Sequence, residues 1–105
     1  MGATEKRDEL PKTVEEAVKT IIAEFPLKDR VELASMKEED LIKLHFSLGM
    51  SIRNRFGLWA GNEELLKSCA SLAGVKSIHP DDASAIIITE LWKKLRDTHT
   101  LRAIK

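Results

Sequence analysis

The sequence predicts an all-α protein that folds as a compact orthogonal bundle of about five helices. Apolar residues recur at spacings of three and four along most of the chain, which is the pattern of amphipathic helices. Residue types that start and stop helices stand at the segment boundaries, and no alternating segment typical of a β-strand occurs. The 105 residues suffice for one hydrophobic core. We therefore expect a single helical domain over residues 13–97, with a flexible arm at 1–12 and a flexible tail at 98–105.

The first two helices are predicted from a start signal, an apolar stripe and a proline. Thr13 is a favourable N-cap, and Glu16 completes a capping box three residues later. The stripe that follows consists of Val14, Ala17, Val18, Ile21, Ile22 and Phe25. Pro26 ends this helix, because the residue before a proline is pushed out of the α conformation. A short second helix over residues 28–34 is predicted from three apolar positions, Leu27, Val31 and Ala34.

The third helix, over residues 36–56, is predicted to be the longest. Ser35 and Glu38 repeat the capping-box pattern at its start. Its apolar face consists of Leu41, Leu44, His45, Leu48, Ile52 and Phe56. Gly49 lies within a turn of that face, where close approach of a neighbouring helix explains a glycine. Gly57 suits the left-handed position that ends a helix.

Two more helices complete the predicted bundle. Asn62 is a good N-cap for the fourth helix, and Gly74 is its stop. The side of this helix that we expect to be buried consists of Leu65, Leu66, Cys69, Leu72 and Ala73. The last helix opens with residues 79–82, His-Pro-Asp-Asp, because proline fits its first position and aspartates favour its first turn.

The last helix is apolar over more than half of its circumference. One stripe comprises Ala83, Ile86, Ile87 and Leu91. A second stripe beside it comprises Ile88, Trp92 and Leu95. A helix of this kind is buried either by several neighbours or by a partner chain. Two interpretations follow: a central helix surrounded by the other four, or a self-association or partner surface formed by the Trp92 side.

Residues 44–66, LHFSLGMSIRNRFGLWAGNEELL, form the most specific motif of the chain. This segment resembles a bacterial family of small all-helical domains of unknown function, whose members carry a pattern similar to LHxxLGxxIRNxFGLWxxN. The similarity extends over most of the chain, from residues 11–17 to residues 79–84. The resemblance implies a helical domain, and it implies no activity, cofactor or ligand.

The arginines near the end of the third helix have two interpretations. Arg53 and Arg55 lie about 200° apart on a helix, so they do not form one patch by themselves. In the first interpretation, one of them pairs with Asp81 or Asp82 as a structural clasp, and the other faces water. In the second, a small anion, a phosphate or a nucleic acid binds at a site formed by Arg53, Asn54, Arg55, Trp59 and Asn62.

Candidate catalytic and metal-binding residues are few. His45 lies on the apolar face of the third helix, and Cys69 lies on the buried side of the fourth, where a thiol is usually inert. His79, Asp81 and Asp82 offer metal-ligand chemistry, but they are fully explained as the first turn of a helix and have no second ligand cluster. We therefore expect no enzyme, no cofactor and no metal site.

Composition bounds the environment and the partners. Seventeen basic and seventeen acidic residues cancel, which argues against bulk attraction to nucleic acid or to a membrane. A single cysteine, no signal-peptide pattern and no apolar run of membrane-spanning length favour a cytoplasmic protein. The function that we expect is a non-catalytic protein-interaction domain, docking another protein or a second copy. The alternative is anion or nucleic-acid binding through the Arg53–Asn62 segment.

Overall fold

The computed structural model describes residues 10–100, with side chains up to residue 98. Within this range all regular structure is helical, which confirms the predicted all-α fold. The α-helices are α1 (Val14–Glu24), α2 (Leu27–Ala34), α3 (Met50–Arg55), α4 (Glu63–Ala73) and α5 (Pro80–Leu95). A 3₁₀ segment (Glu38–Leu44) and a π segment (His45–Gly49) precede α3, and a π segment (Arg96–Thr100) follows α5. None of the described helices combines the length and the apolar character that crossing a bilayer requires.

Helix α5 is the centre of the bundle and contacts every other helix. Its buried residues are Ala83, Ser84, Ile87, Ile88, Leu91, Trp92 and Leu95. Both predicted apolar stripes therefore meet the rest of the same chain, which is the first of the two interpretations. The prediction of a partner surface at Ile88, Trp92 and Leu95 is wrong: these side chains are at most 5% exposed, because the other helices of the same chain pack around α5.

Hydrogen bonds and backbone angles confirm several of the predicted helix ends. The Thr13 hydroxyl accepts from the Glu16 amide at 3.1 Å, and the Glu16 carboxylate accepts from the Lys12 amide at 2.9 Å. Helix α1 stops at Glu24, directly before the extended residue that precedes proline. Gly74 ends α4 in the left-handed conformation, with φ of 74°. These boundaries follow local rules, so sequence was enough to place them.

The predicted start of the third helix is wrong. Ser35 ends α2 instead of capping a new helix: its hydroxyl donates to the Val31 carbonyl at 2.9 Å. The next helical segment begins at Glu38, without a side-chain cap. The reason is tertiary, because the indole Nε1 of Trp92 donates to the Met36 carbonyl at 2.8 Å. The Met36 carbonyl is therefore hydrogen-bonded to α5, and Lys37 after it is extended instead of helical.

The long third helix is in fact a run of three helical forms, seven residues of 3₁₀, five of π and six of α. Helix α5, with 16 residues, is the longest α-helix described. The predicted close approach at Gly49 is present. A Cβ there would lie 3.0 Å from Arg53 Nη1 and 3.6 Å from Ser84 Oγ of α5, so a larger residue would press on the end of the arginine side chain that contacts Ser84.

Two predicted apolar faces are rotated in the structure. On α2, Leu27 and Val31 are exposed, and the buried residues are Leu33 and Ala34. This short helix turns its Asp29–Leu33 side toward Leu44 and Leu48, with which it lines one cavity. On α4, Leu72 is 56% exposed because it lies at the mouth of a cavity of about 430 Å³, whose wall includes parts of α1 and α5.

The ends of the predicted domain also differ. Residues 10–12, assigned to the arm, lie against the bundle: Pro11 is buried, and its carbonyl accepts from Asn62 Nδ2 at 3.0 Å. At the other end, helical backbone continues to Thr100. The predictions for residues 1–9 and 101–105 lie outside the described residues.

Candidate functional site

Arg53, Asp81 and Ser84 form a cluster between α3 and α5. Arg53 Nε lies 3.4 Å from Asp81 Oδ1, and Arg53 Nη1 donates to Ser84 Oγ at 2.9 Å. The arginine side chain is 12% exposed, and Ser84 is fully buried. The Ser84 hydroxyl in turn donates to the Asp81 carbonyl at 2.9 Å. We call these three residues the Arg53 cluster; it joins α3 to the first turn of α5.

The residues directly before Asp81 in the sequence determine where its helix begins. Pro80 occupies the first turn of α5, and His79 caps that turn because its Nδ1 accepts from the Asp81 amide at 3.0 Å. The Asp81 carboxylate contacts Arg53 of α3, whereas Asp82 is exposed and forms no ion pair among the described residues.

Arg55 does not simply face water, as the clasp interpretation expected for the second arginine. Its Nη2 donates to Glu24 Oε2 at 2.6 Å, and its Nη1 lies 2.5 Å from Glu24 Oε1. This bidentate pair links α3 to the end of α1, with both side chains about half exposed. The hydrogen bond from Arg55 lowers the pKa of Glu24 below its ordinary value, and the same bond raises the pKa of Arg55.

The Arg55–Glu24 pair predicts a small pH dependence of stability. Because the Glu24 pKa is lowered on folding, the carboxylate stabilises the fold above its ordinary value of 4.5. That contribution is lost as the pH falls through the lowered pKa. Exposure and screening limit it to under about 1 kcal/mol. We expect Glu24→Gln to lower the free energy of unfolding at pH 7 and to leave it unchanged near pH 2.

Urea titrations at several pH values measure this difference. Glu32→Gln, which removes an exposed carboxylate from α2, is the matched control. Raising the salt concentration to about 1 M should shrink the Glu24 effect at pH 7. A Glu24→Gln difference that is as large at pH 2 as at pH 7 would contradict the ion pair.

The other residues of the predicted anion site point in separate directions. Trp59 is 58% exposed, and its ring meets His79 edge-on, with centroids 5.2 Å apart. Asn62 is committed to the backbone: its Oδ1 accepts from the Leu65 amide, and its Nδ2 donates to the Phe56 carbonyl at 2.7 Å. Asn54 is exposed. The two arginines are thus each held by a carboxylate, and the structure does not gather them around one opening.

The candidate catalytic groups are also separate. Cys69 is buried, its Sγ donates to the Ala83 carbonyl at 3.6 Å, and burial raises its pKa to about 11. The thiolate is therefore strongly disfavoured near neutral pH. His45 is half-buried on a cavity wall that includes none of the residues 79–82. Among the side chains described, no three His, Cys, Asp or Glu groups come together as a metal site.

The structure reveals an apolar surface that sequence analysis missed. Ile42 is 72% exposed, Phe46 84% and Met50 51%. These residues, which we call the exposed stripe, follow one another at intervals of four through the 3₁₀, π and α segments. The i, i+4, i+8 spacing was readable in the sequence. It was missed because Leu41, Leu44, Leu48 and Ile52 formed a second apolar face, which was taken as the whole pattern.

A cavity of about 280 Å³ opens beside the exposed stripe. Its lining residues are Glu38, Leu41, Ile42, His45, Ala85, Ile88 and Thr89. The cavity lies between the segment before α3 and the middle of α5, and Ile42 belongs to both the cavity and the stripe. We call it the stripe cavity. The exposed stripe therefore adjoins the stripe cavity at Ile42.

Comparison with known proteins identifies the family of this chain. A family model described as "Domain of unknown function (DUF6794)" matches residues 10–95. The match begins at the first described residue and ends with α5, so it spans the whole bundle. No curated protein and no solved structure matches the chain.

Proposed function

The chain belongs to the DUF6794 family of domains of unknown function, and we propose that it is a non-catalytic protein-interaction domain. Its docking surface is the exposed stripe of Ile42, Phe46 and Met50. The observation that carries this proposal is the exposure of these three side chains, above all the 84% of Phe46. Single apolar residues are common on protein surfaces, but three large exposed ones repeated at intervals of four along one helical segment, with an aromatic residue at the centre, are typical of an interface.

Charge supports the same assignment. Between Leu41 and Ile52 the only charged residue is Lys43, which lies 3.6 Å from Asp40. Interface centres are depleted of charged residues and enriched in aromatic residues and methionine, as this stripe is. The partner that fits is therefore an apolar side of another protein element, such as an amphipathic helix.

The irregular backbone of the stripe is a second support. Seven residues of 3₁₀ helix are longer than most such segments, and π turns within helices are frequent at functional sites. Phe46 lies within the π turn. A regular helix would keep better hydrogen-bond geometry, so the local distortion is consistent with a segment shaped for contacts outside its own helix.

Anion or nucleic-acid binding is the weaker alternative. Arg53 is occupied by Asp81 and Ser84, and Arg55 is occupied by Glu24. A phosphate would have to displace a carboxylate from each arginine that it used. A partner that docks on the exposed stripe would not have to displace a carboxylate in this way.

A selection of amphipathic helical peptides against the immobilised domain tests the proposed function. We expect selected peptides to bind the wild type and to lose at least about 30-fold in affinity with Phe46→Ser, because central aromatic anchors contribute about 2 kcal/mol or more. The substitution itself should change the free energy of unfolding by no more than about 0.5 kcal/mol, since the ring is exposed.

Leu72→Ser is the matched control, because Leu72 is similarly apolar and 56% exposed but lies on a different cavity wall, with Val14 and Val18. It should leave peptide affinity unchanged. Peptides that bind Phe46→Ser as well as they bind the wild type would overturn the assignment of the docking surface.

A further inference from the structure

We infer that the partner of the exposed stripe is an amphipathic helix with a lysine or arginine one turn beyond its apolar face. The basic side chain enters the stripe cavity and pairs with Glu38. This inference rests on the proposed function, because it names the chemistry of the partner that docks on the same surface. The juxtaposition that carries it is an exposed carboxylate on the wall of a cavity that adjoins the stripe at Ile42.

The stripe cavity has the lining that a long basic side chain needs. Four of its seven lining residues are apolar, namely Leu41, Ile42, Ala85 and Ile88. Lysine and arginine lay an apolar stem along such walls and keep the charged head at a polar edge. A lysine ammonium donates three hydrogen bonds, and the cavity offers three acceptors, the Glu38 carboxylate, the Thr89 hydroxyl and the neutral ring of His45.

The size of the cavity favours one side chain over a whole small molecule. Its volume is about 280 Å³, which is below the roughly 300–1,000 Å³ of most small-molecule pockets. A side chain that is presented by a docked helix does not need a larger cavity, because the helix makes its main contact at the exposed stripe.

Glu38 has no basic partner of its own. It is exposed, and among the described residues no cation lies within ion-pair distance of it. The two lysines that flank it in the sequence do not occupy it: Lys43 lies 3.6 Å from Asp40, and Lys37 forms no ion pair in the described part of the chain. A cation from a partner therefore displaces no existing ion pair at Glu38.

The spacing along the segment fits a regular helix on the partner. Glu38 precedes Ile42 by four residues, as Ile42 precedes Phe46. Four residues rise about 8 Å in a 3₁₀ segment, whereas four residues of an α-helix rise about 6 Å. A basic residue one turn beyond the apolar face of the partner therefore ends about 2 Å short of Glu38 along the axis. The length of a lysine or arginine side chain covers that difference.

Helix polarity favours antiparallel docking. Glu38, Glu39 and Asp40 form the first turn of the 3₁₀ segment, so the acidic end of the surface is its N-terminal end. In antiparallel docking the C-terminal end of the partner helix lies beside this turn, and a basic residue there is also favoured by the dipole of the partner helix. In parallel docking the cation would stand at the N-terminus of the partner, where the dipole disfavours it. We therefore expect the basic residue to follow the apolar face in the partner's sequence.

A library of helical peptides tests the chemistry of the partner. Each peptide carries an apolar face, and the positions four residues before and four residues after that face are randomised among lysine, glutamate and glutamine. After selection against the immobilised domain, we expect lysine to be enriched at the position after the face. Equal recovery of the three residues at both positions, or enrichment of glutamate, would overturn the inference. Lysine enriched only before the face would overturn the antiparallel direction.

Glu38→Gln tests the ion pair directly. At low salt we expect it to weaken binding of the selected lysine peptide about fivefold to tenfold. The same peptide with glutamine in place of the lysine should bind Glu38→Gln and the wild type equally.

Glu39→Gln is the matched control, because Glu39 is an exposed carboxylate in the same turn that does not line the stripe cavity. It should change the affinity for the lysine peptide by no more than about twofold. Equal losses with Glu38→Gln and Glu39→Gln would indicate general attraction to the acidic turn, and would overturn the placement of the basic side chain in the cavity.

Failure of this inference is distinguishable from failure of the proposed function. Peptides that lose affinity with Phe46→Ser but bind Glu38→Gln as tightly as the wild type would support the docking surface and overturn the basic partner. Peptides that bind Phe46→Ser as tightly as the wild type would overturn the docking surface itself, whatever their response to Glu38→Gln.

Discussion

Trp92→Ala is expected to cost about 3–5 kcal/mol of the free energy of unfolding, which is the range for deleting a large buried aromatic side chain. The indole is 5% exposed, and its Nε1 donates to the Met36 carbonyl at 2.8 Å. The Arg96 guanidinium lies over the indole ring, 4.8 Å from its centroid. Because small domains are stable by only about 5–15 kcal/mol, this variant should be partly or largely unfolded at 37 °C. Urea denaturation followed by far-ultraviolet circular dichroism measures the loss.

Trp92→Phe separates the hydrogen bond from the packing. Phenylalanine keeps an aromatic ring in the core but leaves the Met36 carbonyl without its donor. We expect a cost of about 1–3 kcal/mol, smaller than that of alanine. If the free energy of unfolding of Trp92→Ala instead lies within about 1 kcal/mol of the wild-type value, Trp92 does not hold α5 to the Met36 connection.

Arg53→Ala is expected to cost about 2 kcal/mol, because it removes a largely buried, charge-assisted contact between α3 and α5. The arginine is 12% exposed and contacts Asp81 and Ser84. Arg53→Met retains most of the apolar stem and should recover part of the loss. The difference in unfolding free energy between Arg53→Ala and Arg53→Met measures the packing of the apolar stem. The loss that remains in Arg53→Met, relative to the wild type, measures the polar contacts.

Arg55→Ala is the matched control for Arg53→Ala. Both residues are arginines on α3 with a carboxylate partner, but the Arg55 side chain is 46% exposed. A solvent-exposed ion pair contributes at most about 1 kcal/mol. We therefore expect Arg53→Ala to be the more destabilising change by a clear margin. Equal effects, or a larger effect at Arg55, would show that the Arg53 cluster does not hold the two helices together.

The ion pairs show how far sequence reasoning reached. The contact of Arg53 with Asp81 is one of the four pairings that the sequence predicts, since either Arg53 or Arg55 could pair with Asp81 or Asp82. Arg55 with Glu24 was not foreseen. These residues are 31 positions apart, and nothing local indicates that the end of α1 lies beside the end of α3. Only the packing of both helices on α5 brings them together.

The segment from Glu38 to Arg55 shows why the exposed surface was missed. It carries two apolar faces, one with Leu41 and Ile52 and one with Ile42 and Phe46. Periodicity assigns residues to a shared face, but two faces of similar character compete equally for the core. The choice between them depends on how the backbone is wound, and the 3₁₀ and π turns wind it differently from the uniform α-helix that the pattern predicted.

The sequence alone determined the helical class, the helix starts at Thr13, Asn62 and Pro80, and the stops at Pro26 and Gly74. These features depend on hydrogen bonds and backbone angles within a few residues, so composition in a short window decides them. Only the tertiary structure decided that Trp92 is enclosed and that Phe46 is exposed. Burial depends on which helices meet, and that is settled by contacts such as the one between Trp92 and Met36, 56 positions apart.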